Sequence, residues 1–209
     1  ASLAFKAGDA LYGRFACRSV DTLAVFGSDG RVYSVAVAAL PGGRGDGQPI
    51  TSLIDLEAGT QPAHYHAGAA AQMLVLAASG GFGLLARMGD LQSRQRGGKT
   101  FLALEPGETP LAPALVPGDD LLGAQLGCLS ASGRLLVFPL DELKHQPKGG
   151  RGLTLMGLDA KDALASVAAF TQTLRVLGSG RGGKAKDELL KAAALMAHVG
   201  KRARKGKVV

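Results

Sequence analysis

The sequence predicts a mainly β, propeller-like fold assembled from repeated units. Short apolar runs bracket glycine-containing turns, which is the pattern of β-hairpins. The turn glycines recur regularly, because Gly30, Gly81, Gly133 and Gly180 are separated by 51, 52 and 47 positions. A period near fifty residues with about four short strands per unit is typical of propeller blades. We therefore expect one array of about four to five blades.

Each unit opens with a hairpin in which two apolar runs flank the glycine turn. A third apolar run follows in the first two units, at 50–56 and 101–104. These runs predict a single domain with blades at 17–67, 68–117, 118–170 and 171–209. Residues 1–16 are expected to end a preceding blade, and the last blade is degenerate. The hairpin runs, in chain order, are Leu23–Phe26 with Val32–Val35, Met73–Leu76 with Phe82–Leu85, Leu126–Leu129 with Leu135–Phe138, and Thr173–Leu177 before the turn at Gly180.

One stretch near the C-terminus departs from the β pattern. Residues Lys186–His198 include strong helix formers and contain neither Gly nor Pro. Asp187 and Glu188 stand at the start of this stretch, where acidic groups suit the positive end of a helix dipole. We predict a short helix there, whereas residues 159–169 fit either a helix or a strand.

Positive charge is concentrated in loops that also contain glycine. The formal net charge is +7, with +2 in residues 1–100, −5 in 101–142 and +10 in 143–209. Glycine lets the backbone approach an anion, and arginine offers forked donors that suit phosphate oxygens. Repeated loops of this kind predict an edge that follows the phosphates of duplex DNA without reading its bases. The basic loops are 41–47, 94–99, 148–152 and 200–207.

The predicted phosphate contacts are basic side chains of these loops and of the last hairpin turn. The hairpin arginines Arg31 and Arg134 fit a phosphate contact and an ordinary surface position equally well. A propeller-like scaffold that binds an acidic protein is the alternative. A hydrolytic propeller would need carboxylates or His clustered on its inner strands, and the inner runs of this sequence are apolar. The candidate contacts are Arg44, Arg94, Arg96, Lys99, Lys148, Arg151, Arg181, Lys184, Lys201, Arg202, Arg204, Lys205 and Lys207.

The sequence contains no complete catalytic, nucleotide or metal motif. His64 and His66 stand two positions apart, but no Cys or carboxylate pair near them completes a metal site. No loop has the pattern G-x-x-x-x-G-K-[ST], and Ser179 lacks a nucleophile-elbow sequence. We therefore expect no catalytic residue, no metal and no cofactor in this domain.

Other compositional features narrow the expected location and partners. Cys17 and Cys128 do not form a disulfide framework, which favours a reducing cytoplasm. Aromatic residues make up 5% of the chain and Trp is absent, so stacking on single-stranded bases is disfavoured. There is no run of eighteen apolar residues and no basic amphipathic helix with large apolar anchors, so we expect no membrane partner.

Several motifs resemble the C-terminal domain of bacterial DNA topoisomerase IV A subunits (ParC). Leu40–Leu53, with the sequence LPGGRGDGQPITSL, resembles one blade of that family, and so do Ser132–Leu143 and Lys148–Gly152. Lys6–Asp9 fits the end of the first blade. The resemblance covers most of the chain and is strongest over residues 1–158, whereas residues 159–209 diverge in detail.

The related gyrase A subunits carry a box resembling Q-R-R-G-G-R-G-K. Gln92–Lys99 repeats this box only in part, and Asp46 places a negative charge in the first basic loop. These departures favour topoisomerase IV. A gyrase A DNA-wrapping domain is the alternative, because gyrase carries its box in the first blade, which is expected to be truncated here.

The resemblance implies a β-pinwheel, in which neighbouring blades exchange strands and duplex DNA is bound and bent on a basic outer rim. It also implies a non-catalytic role in tuning substrate choice for decatenation and supercoil relaxation, and so in chromosome segregation. The catalytic tyrosine of the ATP- and Mg-dependent parent enzyme would lie outside this chain. The expected partners are duplex DNA, the rest of the A subunit, and the ATPase B subunit, in the bacterial cytoplasm at the nucleoid.

Overall fold

The computed structural model describes residues 5, 7–43, 47–118, 121–179 and 184–209, and these residues form a mainly β chain. Two short α-helices are α1 (Met88–Leu91) and α2 (Ala192–Met196), and single turns of 3-10 helix occupy 37–39, 50–52 and 140–142. The strands are β1 (Thr22–Gly27), β2 (Arg31–Ala36), β3 (Pro62–Gly68), β4 (Met73–Ala77), β5 (Phe82–Arg87), β6 (Lys99–Thr100), β7 (Ala114–Leu115), β8 (Gln125–Ser130), β9 (Arg134–Pro139), β10 (Leu153–Thr154), β11 (Leu164–Phe170), β12 (Thr173–Ser179), β13 (Ala185–Lys191) and β14 (Lys207–Val208).

The three hairpins predicted from paired apolar runs are present as β1–β2, β4–β5 and β8–β9, and the fourth apolar run is β12, which pairs with β13; all four pairs are antiparallel. Gly30, Gly81 and Gly133 end the first three turns with φ of 81°, 86° and 79°. This left-handed conformation is costly for residues that carry a Cβ. The glycine signal therefore reported these three turns correctly, whereas the predicted turn at Gly180 lies outside the described residues. The mainly β fold class is confirmed.

The sheets exchange strands along the chain. Within the described residues, three four-stranded sheets have the orders β3-β1-β2-β6, β10-β5-β4-β7 and β11-β8-β9-β14, and a two-stranded sheet is formed by β12 and β13. The strands β6, β10 and β14 each follow a later hairpin than the one on which they pair. Each complete sheet is thus closed by a strand from downstream, which is the interlocking expected of a β-pinwheel.

The apolar core lies between successive sheets. One cluster joins Phe26 of the first sheet to Leu74 of the second, and another joins Val75 of the second sheet to Leu126 of the third. A further cluster joins the third sheet to the fourth through Val137 and neighbouring residues. Because the inner strands are covered on both faces, they are continuous apolar runs without polar alternation.

The short helix near the C-terminus is confirmed, but it is shorter than the predicted Lys186–His198. Residues up to Lys191 belong to β13, and α2 occupies only Ala192–Met196. β13 pairs with β12 along its whole length, and Leu190 is buried between the third and fourth sheets. Tertiary pairing therefore outweighs the helix propensity of this segment.

The ambiguous stretch 159–169 is resolved in favour of a strand, because β11 begins at Leu164 and pairs with β8. None of the helices in the described part of the chain is long and apolar enough to cross a membrane.

Candidate nucleic-acid interface

Three of the basic loops, 94–99, 148–152 and 200–207, lie at the same edge of three successive sheets. We call this side of β2, β5 and β9, where the exchanged strands pair, the loop edge. The segment before each loop contacts the fourth residue of one of these strands, and the exchanged strand after the loop pairs with the first two residues of the same strand. The basic loop connects these two contacts. The arriving contacts are the backbone N–H groups of Ser93, Gln146 and Gly200, which donate to the Ser34 hydroxyl (2.9 Å), the Leu85 carbonyl (2.8 Å) and the Val137 carbonyl (2.9 Å).

A second backbone contact fixes each loop from the side of the preceding unit. In every case the accepting carbonyl belongs to the residue two positions before the glycine that leads into the exchanged strand. The repeated contact indicates that the three loops share one backbone placement. The carbonyls of Arg96, Gly150 and Arg204 accept hydrogen bonds of 3.0 Å from the N–H groups of Asp55, Ala103 and Gly157.

The glycine before each exchanged strand lies against the strand that it joins. Gly98, Gly152 and Gly206 stand 54 positions apart and have φ of 59°, 78° and 70°. A Cβ added to them would lie 2.5, 2.0 and 2.6 Å from a carbonyl oxygen of β2, β5 or β9. Glycine is required here for both its backbone conformation and its lack of a side chain. Each basic loop is therefore pressed onto its sheet.

Part of the predicted set of contacts is exposed and without an internal partner. These side chains make no ion pair or side-chain hydrogen bond within the described residues, so their charge is available to an anion. All but Lys184 belong to the three loops and to β14 at the loop edge. They are Arg94, Lys148, Lys184, Lys201, Arg204 and Lys207.

Arg151 is engaged inside the protein. Its guanidinium donates two hydrogen bonds to the Glu108 carboxylate, at 2.9 and 2.8 Å, and lies 4.1 Å from the ring centroid of Phe82. Burial alone would raise the pKa of the Glu108 carboxyl, but hydrogen bonds from Arg151 and from the Glu105 backbone lower it overall. The hydrogen bonds to Glu108 likewise raise the pKa of Arg151. This forked, partly buried pair holds the loop 148–152 in place.

Lys99 and Arg202 also bind backbone oxygens. The Lys99 ammonium donates to the Asp90 carbonyl at 2.6 Å, and the Arg202 guanidinium donates to the Thr154 carbonyl at 2.5 Å. Both side chains are only partly exposed. They contribute positive potential near the loop edge, but each is anchored to a backbone oxygen of the fold.

Arg96 and Lys205 are paired with carboxylates at the surface. Arg96 lies 3.3 Å from an Asp55 oxygen and also donates to the Ser52 carbonyl at 3.0 Å. Lys205 forms an ion pair with Asp159. The side chains of both pairs are about half exposed or more, so water and salt reach them.

The hairpin arginines, left undecided by the sequence, face the loops. Arg31 donates to the Gly97 carbonyl from two of its nitrogens, at 2.8 and 3.2 Å, and Arg134 approaches the Gly206 carbonyl at 3.5 Å. Arg31 therefore positions the loop 94–99. The predicted contacts Arg44 and Arg181 lie outside the described residues.

Sequence reasoning missed the acidic side chains that face the basic loops. Glu105 and Asp159 stand 54 positions apart, as the loop glycines do, and each lies beside a basic residue of its loop. This shared spacing was the signal that could have revealed them.

The two histidines considered for a metal site have separate partners. His64 contacts the Pro110 carbonyl at 3.2 Å, and His66 contacts the Gln72 side-chain oxygen at 2.8 Å. The part of the chain that the structure describes contains no group of three metal-ligating side chains.

Comparison with known proteins gives consistent relatives. The family described as DNA gyrase C-terminal domain, beta-propeller, matches residues 128–171. The DNA topoisomerase 4 A subunit of Neisseria gonorrhoeae is 36% identical over 178 residues, which covers 84% of this chain and 23% of the relative. The corresponding Escherichia coli K12 protein is 28% identical over 162 residues, covering 77% and 21%. The chain thus spans about a fifth to a quarter of the length of these curated relatives.

Solved structures show the same architecture. The E. coli ParC C-terminal domain matches with a TM-score of 0.85 and 26% identity, covering 99% of this chain and 84% of that one. A DNA gyrase A C-terminal domain matches with a TM-score of 0.69 and 18% identity, covering 90% and 60%, which is a likeness of fold.

Proposed function

Because the chain belongs to the family of C-terminal domains of topoisomerase IV and gyrase A subunits, we propose that it binds and bends duplex DNA for a topoisomerase IV. In this proposal the domain tunes substrate choice in decatenation and supercoil relaxation and is itself non-catalytic. The catalytic tyrosine and the need for ATP and Mg belong to other parts of the enzyme. Its protein partners are the rest of the A subunit, together with the ATPase B subunit, in the bacterial cytoplasm.

The observation that carries the proposal is the equivalent placement of three basic loops on successive sheets. Each loop accepts an equivalent backbone hydrogen bond from the preceding unit and exposes at least one cation that has no partner among the described residues: Arg94, Lys148, and Lys201 with Arg204. Cations displayed at regular intervals suit a ligand with regularly spaced negative charge. Duplex DNA is such a ligand, and its phosphates bind Lys and Arg with release of counterions.

The placement of basic loops on successive sheets also bears on the bending of bound DNA. Loops carried by successive sheets that each lend a strand to the previous one form a continuous edge. A duplex that contacts several of these loops has to follow this edge, and the elastic cost of bending is offset by the added phosphate contacts. An acidic protein partner has no comparable regularity of charge, so we rank it second.

The first test is fluorescence anisotropy with a random-sequence linear duplex across a salt series. The six cations that are unpaired among the described residues predict a slope of log K against log salt of about −5, and a loss of about 10³ in affinity between roughly 50 and 200 mM salt. Absence of binding at low salt would contradict the proposal. Energy transfer between dyes on the two duplex ends then reports bending, because a bound but straight duplex leaves the transfer unchanged.

A charge reversal tests the loop edge itself. The double variant Arg94→Glu/Lys148→Glu changes adjacent loops and should weaken binding similarly on unrelated duplex sequences. The control Arg14→Glu/Lys191→Glu makes the same charge change at exposed positions outside the basic loops. Equal losses in both variants, or a loss confined to one duplex sequence, would count against phosphate contacts at the loops.

A further inference from the structure

Several candidate phosphate contacts already have a carboxylate partner in the free protein, and in two of these pairs both side chains are about half exposed or more. The Arg96–Asp55 and Lys205–Asp159 pairs join a basic loop to an acidic residue of an adjoining segment. The side chains are 59% and 66% exposed in the first pair and 60% and 48% exposed in the second. At this exposure an ion pair is weak and its partners exchange readily with other ions.

The Arg151–Glu108 pair at the loop 148–152 differs from these two pairs because it is less exposed. The Glu108 side chain is 13% exposed and holds Arg151 through two parallel hydrogen bonds, with the Phe82 ring against the guanidinium. Breaking it would leave a partly buried carboxylate without its partner, which is costly. A phosphate therefore cannot replace Glu108 as easily as it can replace the two exposed carboxylates.

We propose that Asp55 and Asp159 limit the affinity of the loop edge for duplex DNA, because they compete with phosphate for Arg96 and Lys205. Glu108 has no such role and serves to position the loop 148–152. This inference rests on the proposed function and names residues that set the strength of DNA binding at the same site.

Backbone hydrogen bonds hold these loops in place, so only side chains need to move when phosphate replaces a carboxylate. The N–H of Asp55 donates to the Arg96 carbonyl at 3.0 Å, and the N–H of Gly157 donates to the Arg204 carbonyl, next to Lys205, at 3.0 Å. These contacts hold each loop in place whether or not the side chains are paired. An incoming phosphate needs only to displace a carboxylate that is already in water. Once displaced, the carboxylate stays close to the loop and repels the phosphate.

The experiment compares single neutral variants in the same anisotropy assay. Asp55→Asn and Asp159→Asn keep the size of the side chain and remove its charge. Each should bind duplex about 1.4- to 5-fold more tightly, the range that corresponds to exposed ion pairs. Each should also steepen the salt slope by about 0.9, because one more cation is free to neutralise a phosphate.

The matched control is Glu188→Gln. Glu188 forms an exposed pair with Lys186 at 3.3 Å on β13, outside the sequence of the basic loops, and its variant makes the same change in net charge. We expect its affinity and salt slope to stay at the wild-type values. Glu108→Gln should give no gain in affinity for duplex, because Arg151 lies against Phe82 and positions the loop 148–152 instead of contacting a phosphate.

The outcomes separate this inference from the proposed function. Wild-type protein that fails to bind duplex at low salt overturns the proposed function. Wild-type protein that binds with a steep salt slope, while Asp55→Asn and Asp159→Asn match the Glu188→Gln control, leaves that function standing and overturns the competition. A gain for Glu108→Gln as large as that for Asp55→Asn overturns the distinction between the exposed and the fixed pairs.

Discussion

Replacing Gly152 by alanine tests whether close backbone contact holds the basic loops on their sheets. Gly152 has φ of 78°, and an added Cβ would lie 2.0 Å from the Gly83 carbonyl oxygen and 3.0 Å from the Leu84 nitrogen. Both contacts are with backbone, so no side chain can move aside. We expect β10 to be pushed away from β5.

The expected magnitude has two parts. A left-handed conformation with a Cβ costs about 1–2 kcal/mol. Separating β10 from β5 adds the loss of ladder hydrogen bonds, at about 0.5–1.5 kcal/mol each, and loosens Leu155, which is fully buried beside Gly83. Together these effects should lower the free energy of unfolding by about 3–5 kcal/mol, a large share of the stability of an ordinary domain.

The matched control is Gly107→Ala. Gly107 has φ of 86°, but nothing lies within 4 Å of an added Cβ, so only the backbone cost of about 1–2 kcal/mol applies. Urea unfolding followed by circular dichroism measures both variants against wild type. If Gly152→Ala and Gly107→Ala fall within about 0.5 kcal/mol of each other, the close-contact argument is wrong.

Three further predictions concern the core, the acid side of the stability profile and the thiols. Leu126→Ala should lower the free energy of unfolding by about 2–5 kcal/mol, because Leu126 is fully buried between two sheets, whereas Leu177→Ala, at an exposed position, should change it by at most about 0.5 kcal/mol in the same urea titration. Because the pKa of Glu108 is lowered in the fold, its ionised carboxylate stabilises the protein above the ordinary carboxyl pKa of about 4.3, and this stabilisation is lost as pH falls through the lowered pKa. The loss in free energy of unfolding caused by Glu108→Gln should therefore be full at pH 7 and shrink in acid. A loss that does not depend on pH would contradict this. Burial raises the pKa of Cys128, so a disulfide reagent should modify exposed Cys17 quickly and Cys128 only on unfolding, and two equally fast thiols would be inconsistent with the core.

Hairpins and basic loops were readable from the sequence because their signals are local. A glycine with positive φ between two apolar runs marks a turn whatever the rest of the chain does, as at Gly30 and Gly81. The short C-terminal helix was readable only in part. The segment Lys186–Lys191 has helix-forming residues, yet it pairs with β12, since burying Leu190 between two sheets outweighs propensity.

The roles of the basic residues could not be read in the same way. The sequence grouped Arg151 with Lys148 as equivalent phosphate contacts, but Arg151 is held by Glu108, which lies 43 positions away. Likewise Lys205 is paired with Asp159, 46 positions away, whereas Arg204 beside it is exposed and unpaired within the described residues. Adjacent cations thus differ in availability because their partners come from other units.

The sequence by itself determined the repeat, the first three hairpins, the mainly β class and the presence of basic glycine loops, because these depend on neighbouring residues and on backbone conformation. The tertiary structure decided which sheet carries each loop and which cations remain free for an anion. Strand exchange places each loop on the sheet of the preceding hairpin, as Lys99 of β6 shows by pairing with Val32 of β2. Such contacts depend on the packing of sheets against one another, which the order of residues within one unit does not encode.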